Sequence, residues 1–326
     1  MTRWLACMAA LLGAFALALH PAAAQTKLTV MVFPGIQNLP FFVAQEKGFF
    51  AARDLAVDVR MAPNSQELRE GLAQGRHQIA HAGSDNAVAL AELGGADIAI
   101  VMGGDNGWNH LFVQPDIASL ADLRGKTVIV DAPNTAYALL LYKLLDKAGL
   151  RKGDYEVKAI GSTLTRLQEM QKNKAYAASM LNLPFSLQAR RAGLKDMGAA
   201  TETLGAYQAT AGFVLRGWAR DNAETLARYI RAHADSLRWL YDPANKAEAV
   251  ALLAEKLKLP PDVAEQAFAI ATDPATGLAR DAAVDIAGFT NVLKLRAEVE
   301  GQWGGTPPPP EKYLDLSYRD KALALQ

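Results

Sequence analysis

Short runs of β-forming, apolar residues recur along this chain with helical stretches between them, and that alternation restricts the fold to the α/β class more firmly than any other feature. Leu28-Thr-Val-Met-Val-Phe33 reads as a first strand, stopped by Pro34-Gly35. A helix over Phe41 to Phe50 leads to Leu55-Ala-Val-Asp-Val59, which alternates as a strand should. Glu67 to Ala73 reads as helix, then Gln78-Ile-Ala-His-Ala82 and Ile98-Ala-Ile-Val-Met102 as buried strands. The pattern restarts with a turn feeding a strand that ends at Asp131. Asn134 or Thr135 stands where a side-chain oxygen caps the next helix, and Gly149 where positive φ closes it. Tyr155 to Ile160, Leu164 to Lys172 and Ala177 to Leu181 complete a second strand–helix–strand series, the mark of a second lobe. A faint echo between the Leu68 to Asn86 and Leu167 to Asn182 stretches makes duplication plausible.

The first residues have the three parts of an export signal: Arg3, an apolar run from Leu5 to Leu19, then Ala22-Ala23-Ala24 before Gln25. The run is short of the roughly 20 residues that span a bilayer, so residues 1–24 are expected to be a removed signal peptide. Cys7 is the only cysteine of the 326 residues and lies within it, so the mature chain would carry no thiol. Lys plus Arg equals Asp plus Glu at 34 each, which leaves no global field for nucleic acid or for a charged partner. Recognition must come from a local site.

The last third reads as helical. Asp221 with Glu224 has capping-box spacing ahead of Leu226, Tyr229, Ile230, Leu237 and Leu240. Asp281 to Glu300 carries a second apolar set from Val284 to Leu295, and Pro307 to Pro310 predicts a stiff surface strap. Catalytic machinery is missing from the pattern: no H-E-x-x-H, no G-x-S-x-G and no Walker loop. Ser84-Asp85-Asn86 matches a β-lactamase triplet without the S-x-x-K that would supply its nucleophile. His77 and His81 are four apart around a strand, but no third ligand is near, so neither a metal nor a cofactor is expected.

Polar and glycine residues cluster after the strands instead. Gln37, Asn38, Ser84, Asp85, Asp105, Trp108, Asn134, Thr135, Tyr137 and Asn182 are the candidate ligand-binding residues, because open α/β sheets bind ligands beyond the carboxyl ends of their strands. The same residue types are also ordinary turn formers, and Trp108 and Tyr137 serve equally well as core.

Leu39-Pro-Phe-Phe-Val-Ala-Gln-Glu-Lys-Gly-Phe-Phe to Val59, Ile117-Ala-Ser-Leu-Ala-Asp-Leu-Arg-Gly-Lys-Thr-Val128, and Leu145 to Asp154 together resemble, in order, signatures of the NMT1/THI5-like periplasmic substrate-binding proteins for sulfonates, taurine, nitrate and thiamine pyrimidines, the SsuA-like group. The likeness runs from about residue 28 to about 217. Gln78 and Tyr176 stand where that group often has Asp. The resemblance implies a type II periplasmic binding fold, a venus flytrap of two lobes, each with a mixed or parallel sheet flanked by helices and joined by two crossing segments. Lobe one would comprise residues 25–108 and 211–326, and lobe two residues 109–210.

By the same resemblance the protein would be periplasmic, a monomer and not an enzyme, delivering a small ligand to the permease of an ABC importer, with no nucleic-acid partner. The candidate loops hold Asp85, Asp105 and Asp131 and no Lys or Arg, so a neutral or weakly cationic heteroaromatic such as a pyrimidine is favoured over sulfonate or nitrate. Two alternatives stand beside this one. A pyrimidine-synthesising enzyme of the same fold would need a cysteine-rich segment that the mature chain lacks. A solute receptor for a membrane sensor would need the same hinge.

Overall fold

The computed structural model describes residues 25–325; the expected signal peptide lies outside them. The chain opens with β1 (Thr26–Val32), helix α1 (Leu39–Glu46), β2 (Leu55–Met61), α2 (Ser65–Ala73), β3 (Ile79–Gly83), α3 (Ser84–Gly94) and β4 (Ile98–Gly103). It then passes through β5 (His110–Val113), β6 (Thr127–Val130), α4 (Ala136–Lys147), β7 (Glu156–Ala159), α5 (Thr163–Lys172), β8 (Tyr176–Leu181), α6 (Phe185–Arg191), β9 (Lys195–Ala199) and α7 (Ala200–Leu204). It returns in β10 (Thr210–Leu215) and ends in α8 (Arg216–Asp221), α9 (Ala223–Tyr241), α10 (Lys246–Leu257), α11 (Pro261–Ala271), α12 (Ile286–Glu300) and α13 (Ser317–Ala324).

Ten strands form two five-stranded sheets, ordered β2-β1-β3-β10-β4 and β7-β6-β8-β5-β9. The orders correspond position by position, and this supports the internal echo. In each sheet three parallel strands are followed by an antiparallel one, β10 in the first and β5 in the second. The chain crosses from edge strand β4 of one sheet into β5 of the other, and from edge strand β9 back into β10. This is the α/β architecture that the alternation predicts.

Apolar packing covers both faces of each sheet. Leu226, Tyr229, Ile230, Leu237 and Leu240 are all buried as their helical spacing predicts, and they pack with α1, α10 and α11 behind the first sheet. A second core runs from β3, β4 and α3 through α4 and α12 to β5 and β6, and a smaller one lies under α5 and α6. The capping box is not formed: Asp221 ends α8, and α9 begins after Asn222 without a side-chain cap bond. Helix α12 likewise starts later than the periodicity suggests, because Asp285 accepts from the Gly288 N–H at 2.9 Å and stops the helix there. Ile286, read as apolar core, is therefore exposed.

The proline run is extended over Pro307–Pro309, turns at Pro310 into a short helical turn through Lys312, and lays Leu314 parallel to Ile100 on the β4 edge. Glu92 anchors it by accepting from Trp303 Nε1 (2.9 Å), Lys312 Nζ (2.6 Å) and the Tyr313 hydroxyl (2.7 Å). Covering an edge strand in this way removes a site for unwanted pairing. Among the described residues no helix is long and apolar enough to cross a membrane.

Candidate ligand-binding site

A cleft lies between the two sheets, at the carboxyl ends of their parallel strands. From the first sheet's side it is walled by Phe33, Gln37, Ser65, His81, Asn86 and Thr210. From the second, Asp131, Thr135, Tyr137, Thr163, Arg166 and Asn182 face them. The first turns of α2, α3, α4 and α5 all reach the cleft, so helix N-termini converge there and favour electronegative groups.

The two sides touch around this space. The Ser65 hydroxyl donates to Asp131 Oδ2. The Ile36 N–H donates to the Leu183 carbonyl at 3.4 Å. Arg191 pairs with Asp262 near the rim, with Nη1 to Oδ1 at 3.3 Å. A Cβ on Gly83 would come within 3.3 Å of the Ala136 methyl, so glycine there permits close approach. Gly35 has a φ of 157°, which L side chains rarely adopt, and its nearest neighbour is the movable amide of Gln37.

Arg166 is the feature that the sequence reading missed. It is 1% exposed and lines the cleft. Its Nε donates to Ser179 Oγ at 2.9 Å, and Nη2 to Thr163 Oγ1 at 3.1 Å and to the Met180 carbonyl at 3.0 Å. Nη1 donates to the Gly161 carbonyl. A guanidinium offers five N–H donors, so one remains. All four partners are neutral, and burial pulls the Arg166 pKa down, opposed by Asp131 and Tyr137. A signal was present: a cation in the first turn of a helix sits against the dipole.

Of the ten predicted binding residues, Gln37, Thr135, Tyr137 and Asn182 line the cleft. The Asn182 amide donates to the Tyr137 hydroxyl at 3.4 Å, and Gln37 Nε2 to the Phe33 carbonyl at 3.1 Å. Thr135 precedes α4 as predicted, but its hydroxyl donates to the Ala132 carbonyl and does not cap the helix. Burial, then Asp105, pushes the Tyr137 phenol upward.

The other six are committed elsewhere. Asn38 is buried and donates to the Phe33 carbonyl at 2.7 Å. The Ser84 hydroxyl donates to the Gln208 carbonyl at 2.6 Å. Asp85 is held by Arg296. Asp105 accepts from Thr210 and from the Gly107 N–H; burial pushes its carboxyl upward, while these bonds pull it back. Trp108 packs in the core and donates from Nε1 to the Thr276 carbonyl at 3.0 Å. Asn134 offers its backbone carbonyl to Arg296 and lies beside an outer groove with Arg69.

The expectation of three carboxylates and no cation facing the ligand is therefore corrected. Of the three carboxyls only Asp131 lines the cleft. Arg166 lines it too, and Arg69 stands behind Asn86, donating to its Oδ1 at 3.3 Å. Beneath His81, a buried cluster holds the His233 ring at 5.4 Å and Phe41 edge-on at 4.8 Å. Burial drives the His81 pKa well below its ordinary value, helped by His233. His77 precedes β3 and is separated from His81, and among the described residues no group of His, Cys, Asp or Glu could hold a metal.

Two sheets of this order, exchanging strands and enclosing a cleft at their carboxyl ends, define the type II periplasmic binding protein fold. The chain belongs to the NMT1-like family, whose model matches residues 21–254. It is 28% identical over 237 residues to a protein named riboflavin-binding protein RibY from Chloroflexus aurantiacus; the match spans 71% of this chain and 66% of that one, just under two thirds of the relative's length. Among solved structures it is similar to a protein of Bordetella bronchiseptica RB50, with 19% identity, a TM-score of 0.79, and 92% and 97% of the two chains covered. It is also similar to the periplasmic nitrate-binding protein NrtA of Synechocystis PCC 6803, with 16% identity, a TM-score of 0.74, and 93% and 89% covered.

Proposed function

We propose that this protein is an exported, periplasmic solute-binding protein that closes on a small, flat, polar heteroaromatic molecule and delivers it to the permease of an ABC importer, without chemical turnover. Residues 25–108 and 211–326 form lobe one in this reading, and residues 109–210 lobe two. The observation that carries it is the cleft itself, walled from both sheets. Only a ligand touching both sides favours the closed arrangement over an open one, and here the two sides are already in contact through Ser65 and Asp131. Phe33 and Tyr137 supply aromatic surface, and Arg166 with Asp131 the polar edge. The riboflavin-binding name of one relative agrees with a planar ring system.

The mature chain should bind one molecule of such a ligand per protein in titration calorimetry, with a raised melting midpoint, and the ligand should be recovered unchanged. Time-dependent loss of ligand would overturn the binding-only reading. So would a screen over flavins, pyrimidines, aromatic acids, nitrate and sulfonates in which only the anions bind.

A further inference from the structure

We infer that Asp131 and Arg166 together read an N–H group beside a carbonyl on the ligand, the edge of a lactam or cyclic imide; this rests on the solute-binding reading above. Three buried oxygens of cleft-lining side chains have no donor: Gln37 Oε1, Asp131 Oδ1 and Asn182 Oδ1. The Asn182 amide is oriented by its Nδ2 bond to Tyr137. Asp131 is held by the Ser65 hydroxyl on its other oxygen, which leaves Oδ1 for a ligand. Arg166 supplies the complement, one uncommitted N–H on a charge that has no carboxylate within ion-pair distance.

A buried acceptor without a donor is costly, so a ligand that supplies the missing hydrogens is selected over one that cannot. Nitrate and simple alkanesulfonates such as methanesulfonate carry only acceptor oxygens. They would satisfy Arg166 and leave Asp131 and Asn182 facing like-charged atoms. A simple cation would satisfy the acceptors and face Arg166. A ring with N–H and C=O side by side satisfies both, and its flat faces suit Phe33 and Tyr137.

The test compares riboflavin and thymine with their N3-methyl derivatives by titration calorimetry on the mature protein. Replacing the N3 hydrogen should weaken binding at least tenfold in the wild type. In Asp131→Ala that ratio should collapse to within about threefold, since the acceptor that the N3 hydrogen serves is gone. Ser65→Ala should lower affinity for both members of a pair and keep the ratio. Arg166→Met should weaken both members together. If the wild type binds parent and methylated rings alike, or if the ratio survives in Asp131→Ala, the inference falls while solute binding stands. Binding of nitrate or taurine with none of either ring also overturns it, and again leaves a solute-binding protein. Absence of any ligand across the panel, or turnover, removes the functional reading instead. The wild-type ratio decides the matter even if Asp131→Ala does not fold.

Discussion

Arg296 on α12 grips Asp85 on α3 through two nearly parallel N–H···O bonds, Nε to Oδ1 at 2.6 Å and Nη2 to Oδ2 at 2.8 Å, with both side chains 1% exposed. The same Nη2 donates to the Asn134 carbonyl at 3.0 Å, so one side chain fastens the first sheet's helix to the loop before α4. Burial opposes the Arg296 charge, and Asp85, with Glu300 and Tyr207 behind it, more than offsets it. Removing one partner leaves the other charged and dry, which costs about 3–5 kcal/mol. Asp85→Ala should lower stability by that order in urea denaturation and leave ligand affinity of the folded protein within threefold. A large affinity loss at unchanged stability would return Asp85 to the binding site.

Trp108 is a packing residue in this structure. Trp108→Ala should cost about 3–5 kcal/mol, read as a lowered melting midpoint, with the order of ligand preferences unchanged. Asn134→Ala should stay within about 0.5 kcal/mol, because its contribution is a backbone carbonyl that alanine also has. Equal melting for Trp108→Ala and wild type would contradict the burial.

Acid should weaken the fold before the carboxylates titrate. Burial holds the imidazole of His77 down at about 4, with Arg76 adding to it, and that of His233 at about 3, while His81 is depressed in the same direction. These rings are neutral in the native protein, so below pH 6.5 the unfolded chain takes up protons first and stability falls with pH. Above 6.5 both states are neutral and the effect vanishes. Each ring should remove about 1.4 kcal/mol at pH 5.5, together up to about 4 kcal/mol. Urea midpoints at pH 7.5 and 5.5 measure this directly; equal midpoints would show that the rings are not buried neutral.

Gly83 should control closure. Its φ of −48° is open to any residue, so a larger side chain strains nothing locally but meets Ala136 across the cleft. Gly83→Val should hold the two sides apart, weaken binding at least tenfold, and keep the radius of gyration of the ligand-bound protein at its ligand-free value in small-angle scattering. Wild-type affinity in this variant would mean that the contact is not needed for binding.

Strands β4, β6 and β8 were legible because burial on both faces writes them as apolar runs, and β1 and β2 because their apolar residues alternate; the observed strands fall on those segments within a residue or two. The antiparallel strands were not. Lys195–Ala199 has neither alternation nor an apolar run, and Gly212 interrupts Thr210–Leu215 where a Cβ would strike His81 and Met102. In the site, position along the chain located the loops correctly but could not tell which way a side chain turns. Asp85 and Asp105 sit one turn or loop from the cleft and spend their oxygens on Arg296 and Thr210, far away in sequence, and on the nearby Gly107 N–H. Arg166 reads as an ordinary surface arginine in TLTRLQEMQK until tertiary packing buries it.

The reciprocal trade of strands has a mechanical outcome. Each crossing delivers the chain into a rung that is hydrogen-bonded on both sides, β5 between β8 and β9, β10 between β3 and β4. Sliding or unthreading one half would tear rungs out of both ladders, so the inexpensive motion is a bend in the short stretches outside them, around residues 104–109 and 205–209. The joint between the sheets is thereby confined to two neighbouring stretches, tied where the Ala209 N–H donates to the Asp105 carbonyl at 3.0 Å.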